Sequence, residues 1–302
     1  MATFARPTAL LALTAAVLIG VLGGGGAEAQ QLSPNFYSST CPSVATIVRR
    51  GMASAGCDGS ILLDDTPTFT GEKGAGPNAN SVRGFEVIDA IKAQVETSCR
   101  ATVSCADILA LAARDAVNLL GGPTWSVPLG RKDSRTASQS LANANLPGPG
   151  SSVATLISMF RNQGLSARDM TALSGAHTIG RSQCQFFRTR IYTESNINGS
   201  FAALRRRTCP RSEGDANLAP FDVQTPDAFD NAYYQNLVAR KGLLHSDQEL
   251  FNGGSQDALV RQYSGSPSQF AADFVTAMVK MGNLLPSSGT RTEVRLNCRK
   301  VN

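Results

Sequence analysis

Apolar residues recur every three or four positions along much of the chain, the spacing that places side chains on one face of an α-helix. In the stretch SPSQFAADFVTAMVKMGNLLP, this spacing joins Phe270, Phe274, Met278 and Met281, and Gly282 follows as a stop signal. The stretch SVRGFEVIDAIKAQVETSC is a further predicted helix. The pattern therefore predicts amphipathic helices, each with one buried face, over much of the chain.

Two other predicted helices begin with a start signal, a serine followed three residues later by an aspartate. Ser104 and Asp107 open SCADILALAARDAVNLLGG, and Ser166 and Asp169 open SARDMTALSGAHTIG. In a capping box the serine side chain accepts a hydrogen bond from a backbone N–H of the first turn, and the acidic side chain bonds back. Both stretches therefore predict a helix start at the serine.

Alternating apolar and polar positions, the pattern of a strand, are scarce. The best strand candidate is TWSVPL, residues 124–129, which Gly and Pro turn signals bound. Pro- and Gly-rich connectors separate the predicted helices, and no internal repeat follows residue 29. The sequence predicts one mainly α-helical domain over residues 30–302.

The first 29 residues are predicted to be a separate unit. Arg6 precedes a short apolar run, and Ala27, Glu28 and Ala29 form a small-residue cleavage pattern. A membrane anchor is the alternative, but the run is shorter than the ~20 apolar residues that a span needs, and glycines interrupt it. We therefore predict a signal peptide over residues 1–29, export of the remainder, and no membrane span.

The charge pattern narrows the class of partner. The formal net charge is +5, and the basic residues are scattered apart from one cluster at Arg205, Arg206 and Arg207. Such a distribution argues against nucleic acid as the main partner. It suits a mildly anionic surface such as a cell wall.

The chain contains seven cysteines. Cysteines of exported proteins usually form disulfides, and an odd number leaves one thiol spare or bonded to another chain. The sequence alone leaves open which cysteines pair.

The chain has only two histidines, His177 and His245. His177 is spaced to share a helix face with Met170 and Leu173, so a hydrogen-bonded core histidine is one interpretation. A single buried histidine is also what a haem iron needs as its proximal ligand, whereas a zinc site would need more His or Cys ligands. His245 is predicted to be a surface residue near a helix start.

Several stretches agree in order and spacing with one family. They are QLSPNFYSSTCP, VSCADILALAARD, GRKDS, NLPGP, LSGAHTIGRSQC, FDVQTPDAFDNAYY and GLLHSDQEL. Together they resemble the secreted class III plant haem peroxidases over nearly all of residues 31–302. The resemblance implies a single-domain, disulfide-stapled helical haem fold. It also implies an enzyme that reduces H2O2 while oxidising small phenolic donors, with one haem b and two Ca²⁺ ions.

The resemblance assigns roles by motif position. His177 is implied to be the axial ligand of the haem iron and Asp247 the carboxylate behind it, which gives the imidazole anionic character. The motif around Pro147 corresponds to the place where the aromatic donor rests, and Phe186 is placed at the same opening. The proximal calcium site is implied to consist of Thr178, Asp222, Thr225, Asp230 and the carbonyl of Ala228.

The family's disulfide framework leaves one cysteine over. The leftover is Cys57, a free thiol that could form an intermolecular disulfide in a protein otherwise expected to be a monomer. The implied pairs are Cys41–Cys99, Cys105–Cys298 and Cys184–Cys209.

The chain departs from the family between Cys41 and Cys57, where only SVATIVRRGMASA and a few neighbouring residues stand. Family members have there a long helix reading roughly R-x-x-F-H-D-C-F, with the distal arginine and histidine and the partner of Cys57. We predict that this distal helix is deleted between Arg50 and Gly56. The residues left from the distal calcium site are Gly56, Asp58, Ser60 and Glu72, and Asn78 has no distal histidine to orient.

The deletion changes the expected activity. The distal histidine acts as general base and then acid on bound H2O2, which is worth ~10²–10⁴-fold. We expect strongly impaired peroxide activation. The alternative is a non-catalytic haem- or calcium-binding relative, or a truncated splice or gene-model product.

Two further interpretations concern other chemistry. A hydrolase using Ser174 or Ser246 is disfavoured, because LSGAH lacks the G-x-S-x-G pattern. Asn198, in Asn-Gly-Ser, is a predicted glycosylation site. The short tail after Cys298 favours the extracellular over the vacuolar form.

Overall fold

The computed structural model describes residues 32–51, 59–284 and 291–302. Over these ranges the protein is mainly helical, as the sequence predicts. The α-helices are α1 (Val44–Gly51), α2 (Phe85–Ser98), α3 (Cys105–Leu119), α4 (Gln139–Asn145), α5 (Val153–Arg161), α6 (Ala167–Ser174), α7 (Cys184–Thr193), α8 (Gly199–Arg206), α9 (Ala232–Val238), α10 (His245–Glu249), α11 (Asp257–Gly265) and α12 (Pro267–Gly282).

The strands within the described ranges are short and form two antiparallel pairs. They are β1 (Asp133–Ser134), β2 (Arg181–Gln183), β3 (Leu218–Pro220) and β4 (Thr292–Glu293). β1 pairs with β4, with Asp133 opposite Glu293, and β2 pairs with β3, with Arg181 opposite Pro220. Each pair ties two connectors together rather than forming a layer of the core.

The strand predicted over residues 124–129 is wrong. Within it only Leu129 pairs, in an isolated bridge with Ser33. Pro128 cannot donate a backbone hydrogen bond to a ladder, and residues 124–128 have no regular secondary structure.

Both predicted helix starts are confirmed, but they differ in detail. At α6 the capping box is complete, because Ser166 and Asp169 each accept a hydrogen bond from the other's backbone N–H. At α3 the Ser104 side chain accepts from the backbone of Asp107 at 3.1 Å. The Asp107 side chain instead accepts from the Tyr37 hydroxyl and the Gly130 N–H, so this cap is one-sided.

The two largest apolar clusters of the described residues have nineteen buried members each. One lies among α5, α6, α9, α11 and α12, and includes the predicted positions Phe270 and Phe274, with Met278 and Met281 at its edge. The other lies among α1, α2 and α3. Trp125 packs against both clusters and connects them.

Three disulfides are present in the described residues. They join Cys41 to Cys99, Cys105 to Cys298 and Cys184 to Cys209, which are the pairs that the resemblance implies. Cys57 lies outside the described residues, as do Gly56, Asp58 and the signal peptide predicted over residues 1–29.

None of the helices described here is both long enough and apolar enough to cross a membrane.

Candidate functional site

His177 lies at the end of α6, but not on the helix itself. The α-helix ends at Ser174, and residues Gly175–Thr178 continue as a 3₁₀ turn. His177 therefore follows the helix rather than lying on it, although Leu173 and His177 line the same cavity. Gly175 permits close packing at this turn, since a Cβ there would overlap the Tyr234 hydroxyl and the Phe270 ring.

Asp247 holds the imidazole of His177 from behind. Its Oδ1 atom lies 2.7 Å from His177 Nδ1, and its Oδ2 atom accepts a hydrogen bond from the Leu244 N–H at 2.9 Å. The Asp247 side chain is 3% exposed, and an ionised carboxylate only accepts, so His177 Nδ1 carries the proton. This tautomer leaves Nε2 with a lone pair for a metal ion.

Two aromatic rings fix the orientation of the imidazole. Phe221 stacks on His177 with centroids 4.0 Å apart and parallel planes, while the Tyr233 ring stands edge-on at 6.2 Å. The Tyr233 hydroxyl also donates to Asp247 Oδ1 at 3.1 Å. The ring of His177 is therefore held on its face and at Nδ1.

His177 forms part of the wall of a cavity of about 400 Å³. Apolar residues supply much of the wall, and they include Leu146, Leu156, Phe160, Leu173, Phe221 and Leu244. Polar residues stand between them in the wall, among them Asn78, Arg181, Ser246 and Asp247. Concave, mainly apolar walls with a few convergent polar groups are typical of cofactor sites.

The residues predicted for the donor site lie at this cavity. Pro147 and Phe186 both line it, and Phe186 is exposed. The structure thus brings these two residues to the same opening as His177.

The residues predicted for the proximal calcium site converge beside His177. Thr178 Oγ1 lies 3.3 Å from Asp222 Oδ2 and 3.1 Å from Asp230 Oδ1. Thr225 Oγ1 lies 3.4 Å from the same Asp222 oxygen, and the Ala228 N–H donates to the Thr225 carbonyl. The cluster offers carboxylate, hydroxyl and carbonyl oxygens, the donor set that Ca²⁺ prefers.

Across the described ranges, no three side chains of His, Cys, Asp or Glu are grouped to hold a metal ion. The cluster beside His177 has two carboxylates, and its other oxygen donors are hydroxyls and carbonyls. It therefore suits a hard cation and not a transition metal that needs several His or Cys ligands.

The described residues of the distal calcium remnant are joined by hydrogen bonds. Ser60 Oγ donates to Glu72 Oε2 at 3.1 Å, and Asn78 Nδ2 donates to the Glu72 carbonyl at 2.9 Å. Asn78 also reaches the cavity wall. Ser60 and Glu72 are thus adjacent, while Gly56 and Asp58 lie outside the described residues.

The second histidine contributes nothing to the cavity. His245 is the first residue of α10, as predicted near a helix start, and its side chain is 35% exposed. Its Nδ1 atom pairs with Glu194 Oε1 at 2.9 Å. His177 is therefore the one histidine of this chain at the cavity.

The hydrolase interpretation finds no support in the geometry. Ser174 Oγ donates to the Met170 carbonyl at 2.9 Å rather than to an imidazole. His177 Nδ1 is bonded to Asp247, but no serine hydroxyl among the described residues completes a nucleophilic relay with it.

Sequence reasoning missed three residues of the site. Phe221 and Tyr233 both fall within the motif FDVQTPDAFDNAYY, but their contacts with His177 and Asp247 require the fold. Arg181, which lines the cavity, stands four residues after His177 and was visible in the motif LSGAHTIGRSQC.

Comparisons with known proteins identify the family of this chain. A family model described as "Peroxidase" matches residues 31–266. The chain is 55% identical over 296 residues to "Peroxidase P7" of Brassica rapa subsp. rapa, covering 90% of this chain and 100% of the relative. It is 54% identical over 311 residues to "Peroxidase 4" of Vitis vinifera, covering 95% and 97%.

These matches decide the class. The chain belongs to the peroxidase family, whose members are haem-dependent oxidoreductases acting on H2O2.

One further alignment is longer than this chain. "Peroxidase 2" of Oryza sativa subsp. indica is 50% identical over 322 residues, covering 99% of both chains. An alignment of 322 positions is longer than the whole chain of 302 residues, so the relative has residues without a counterpart here.

Proposed function

We propose that this chain is a secreted haem peroxidase of the class III type whose activation of H2O2 is strongly impaired. The observation that carries the proposed haem peroxidase is the His177–Asp247 pair at the wall of a cofactor-sized cavity. The proposed impairment rests on the sequence, which supplies no histidine for the other face of that cavity.

The proximal residues fit one haem b. His177 Nε2 is the nitrogen left for iron, and Asp247 accepts the Nδ1 proton and lends the ring anionic character. When bound, haem supplies the iron centre at which H2O2 is reduced. Phe221 holds the imidazole plane, so the ligand is oriented before any cofactor arrives.

The impairment follows from proton transfer. Reduction of H2O2 requires a group that takes a proton from one oxygen and returns it to the other, a task worth ~10²–10⁴-fold. Family members use the distal histidine, with the distal arginine stabilising the developing charge. In this chain His177 is committed to Asp247 and His245 to Glu194, so neither can act there.

Phenolic donors are proposed to reach the cavity beside Pro147 and Phe186. A proline and an exposed aromatic ring at the opening offer apolar contact to an aromatic molecule.

Two calcium sites are proposed, with unequal affinity. The proximal site would use Thr178, Asp222, Thr225, Asp230 and the Ala228 carbonyl. The distal remnant of Gly56, Asp58, Ser60 and Glu72 lacks the family's leading aspartate, and affinity should fall with that charge.

Export is proposed to remove residues 1–29 and to deliver the protein to the cell wall. Asn198 supports a glycan in this setting, because its Oδ1 atom caps α8 by accepting from the Phe201 N–H at 3.0 Å. The side-chain nitrogen, where a glycan attaches, is not used by that cap.

Cys57 is proposed to stay a free thiol or to bond a second chain, and the protein is otherwise proposed to be a monomer.

The first experiment is the absorption spectrum of the secreted, haem-reconstituted protein before and after addition of H2O2. We expect a ferric Soret band that depends on His177 and that does not convert promptly on H2O2 addition. The matched variants are His177→Ala, which should lose the band, and His245→Ala, which should keep it. Prompt conversion in the unmodified chain would overturn the impairment, and no Soret band would overturn haem binding.

A graft completes the test. Inserting the corresponding segment of Peroxidase P7 between Arg50 and Gly56 should restore prompt conversion and donor oxidation. A Soret band without donor oxidation, unchanged by the graft, would favour the alternative of a non-catalytic haem- or calcium-binding relative.

A further inference from the structure

Asp247 receives two hydrogen bonds on the same oxygen. His177 Nδ1 lies 2.7 Å from Oδ1, and the Tyr233 hydroxyl donates to Oδ1 at 3.1 Å. The other oxygen, Oδ2, accepts from the Leu244 N–H. The negative charge that could polarise His177 is therefore shared with a second donor at the same atom.

The surroundings make this sharing strong. Tyr233 is 2% exposed and the Asp247 side chain 3% exposed, so water does not compete for the carboxylate. Hydrogen bonds in such a low-dielectric interior are stronger than in water and polarise one another. A change at the Tyr233 hydroxyl should be felt at His177 through the shared oxygen.

The phenol acts only as a donor. Burial, together with the negative charge of Asp247, raises the pKa of Tyr233 well above its ordinary value. The geometry agrees, since the Tyr233 hydroxyl donates its hydrogen to Asp247 Oδ1.

We propose that Tyr233 is a positioning residue that limits how much imidazolate character Asp247 confers on His177. The proposal rests on the proposed role of His177 as the iron ligand. The hydrogen bond from the Tyr233 hydroxyl draws electron density from Oδ1. Oδ1 is therefore a weaker acceptor for the Nδ1–H of His177. Tyr233 thereby holds the ferric/ferrous reduction potential higher than the His177–Asp247 pair alone would set it.

The next residue in the chain is a matched control. Tyr234 is on the same helix, α9, and is fully buried. Its hydroxyl donates to the carbonyls of Thr171 and Ala172 and not to Asp247. Tyr234→Phe therefore removes a buried phenol hydroxyl without touching the pair.

The test compares Tyr233→Phe with Tyr234→Phe in the haem-reconstituted protein. Tyr233→Phe should lower the reduction potential and raise the iron–imidazole stretching frequency of the ferrous form, measured by resonance Raman spectroscopy. We expect up to a tenfold shift of the ferric/ferrous equilibrium, equal to about 59 mV for one electron. Tyr234→Phe should leave both unchanged, and equal values in all three proteins would overturn the proposal.

A second substitution works in the opposite direction. Replacing Tyr233 with 3-fluorotyrosine keeps the hydroxyl and makes it a stronger donor, so the reduction potential should rise. A fall in potential with this replacement would contradict the proposed sharing. Since the ring and hydroxyl are kept, this variant also covers the case in which Tyr233→Phe does not fold.

The apoprotein separates this proposal from the proposed function. In ¹⁵N-labelled apoprotein, the nitrogen shifts of His177 should move in Tyr233→Phe and stay in place in Tyr234→Phe. If the unmodified chain takes up no haem, the proposed function fails. The ¹⁵N shifts then still show whether the Tyr233 hydroxyl affects His177 through Asp247. Identical His177 shifts in all three apoproteins would overturn it.

Discussion

Asp222 shows how a single carboxylate of the proposed calcium site is oriented by the protein itself. Its Oδ1 atom accepts from the backbone N–H groups of Gln224 and Thr225 and from Asn236 Nδ2. Oδ2 is left facing the hydroxyls of Thr178 and Thr225. One oxygen is thus used for structure and the other is turned toward the place where a cation would sit.

Asp230 permits a test of the proposed cation that changes charge and little else. Asp230→Asn keeps the Oδ1 acceptor for the Ala232 N–H and removes one negative charge. We expect weaker Ca²⁺ binding and a smaller gain in melting temperature on adding Ca²⁺, measured by calorimetry and thermal melts. Asp227→Asn in the same loop is the control, since its side chain is 66% exposed. Equal losses in both variants would contradict the assignment of Asp230.

Gly175 is a residue at which the backbone and its neighbours leave no room. Gly175→Ala would press a methyl group against the Tyr234 hydroxyl and the Phe270 ring, and such overpacking costs about 1–3 kcal/mol. We expect this loss in the free energy of unfolding, measured by urea titration. Gly265→Ala, at the end of α11 in open space, is the control and should change stability by less.

At the scale of elements, the short helix α6 sets the direction of the turn that presents His177. Its first turn is held by the complete capping box, and its last turn leads directly into the 3₁₀ turn. Asp169 also binds Lys280 of α12, with Nζ 2.9 Å from Oδ1. The start of α6 is therefore fixed both locally and against a neighbouring helix.

The capping box of α6 should contribute more to the free energy of unfolding than a single cap does. Ser166→Ala removes one half of the reciprocal pair, and loss of such a cap costs about 1 kcal/mol. Ser152→Ala at α5 is the matched control, because Ser152 caps its helix without a returning acidic side chain. Urea unfolding should show the larger loss for Ser166→Ala. A larger loss at Ser152 would contradict the role of reciprocity.

Asp169 makes a pH-dependent contribution to the same helix start. Burial tends to raise the pKa of Asp169, but hydrogen bonds from Ser166 and Lys280 outweigh it and hold the pKa below its ordinary value. A carboxylate with a depressed folded-state pKa stabilises the fold above its unfolded-state pKa, and this is lost as the pH falls through the folded-state value.

The difference in unfolding free energy between the unmodified chain and Asp169→Asn should therefore be largest above about pH 4. It should shrink toward lower pH, as measured by urea titrations at a series of pH values. A difference that stays constant down to pH 2 would contradict the depressed pKa.

At the scale of the whole molecule, distant parts of the chain are tied around α3. The Cys105–Cys298 disulfide joins the start of α3 to the C-terminal segment across 193 residues. Asp133 accepts from the N–H groups of Cys105, Ala106 and Arg295 at the same place. This junction closes the chain on itself, whereas the Cys184–Cys209 disulfide closes only a local hairpin of α7 and α8.

Removing each of these two disulfides separately should therefore lower the free energy of unfolding by a different amount. In the chain-entropy account, a disulfide stabilises in proportion to the logarithm of its loop length, and the loops here are 193 and 25 residues. The pair Cys105→Ser and Cys298→Ser should lose about 1–2 kcal/mol more than the pair Cys184→Ser and Cys209→Ser. Urea unfolding without reductant measures both, and the reverse order would contradict the loop-length account.

Much of the helical architecture could be predicted from local pattern. The helices around Ser104, Ser166 and Phe270 follow from spacing and caps that neighbouring residues decide among themselves. The strand predicted over 124–129 failed because Pro128 removes a donor that a ladder would need. Local spacing placed His177 on the helix α6, whereas the structure places it in the 3₁₀ turn that follows.

The sequence by itself determined the helical class, the motifs of the family, the odd cysteine and the scarcity of histidine, because each is a property of composition or local order. The family motifs also indicated Asp247 as the partner of His177, but only the tertiary structure decided the contacts of Phe221 and Tyr233 with this pair. Their distances to His177 and Asp247 depend on how the motif that contains them packs against the turn at His177. The physical reason is that burial and long-range packing set which donors share one carboxylate oxygen, and no local pattern along the chain records that.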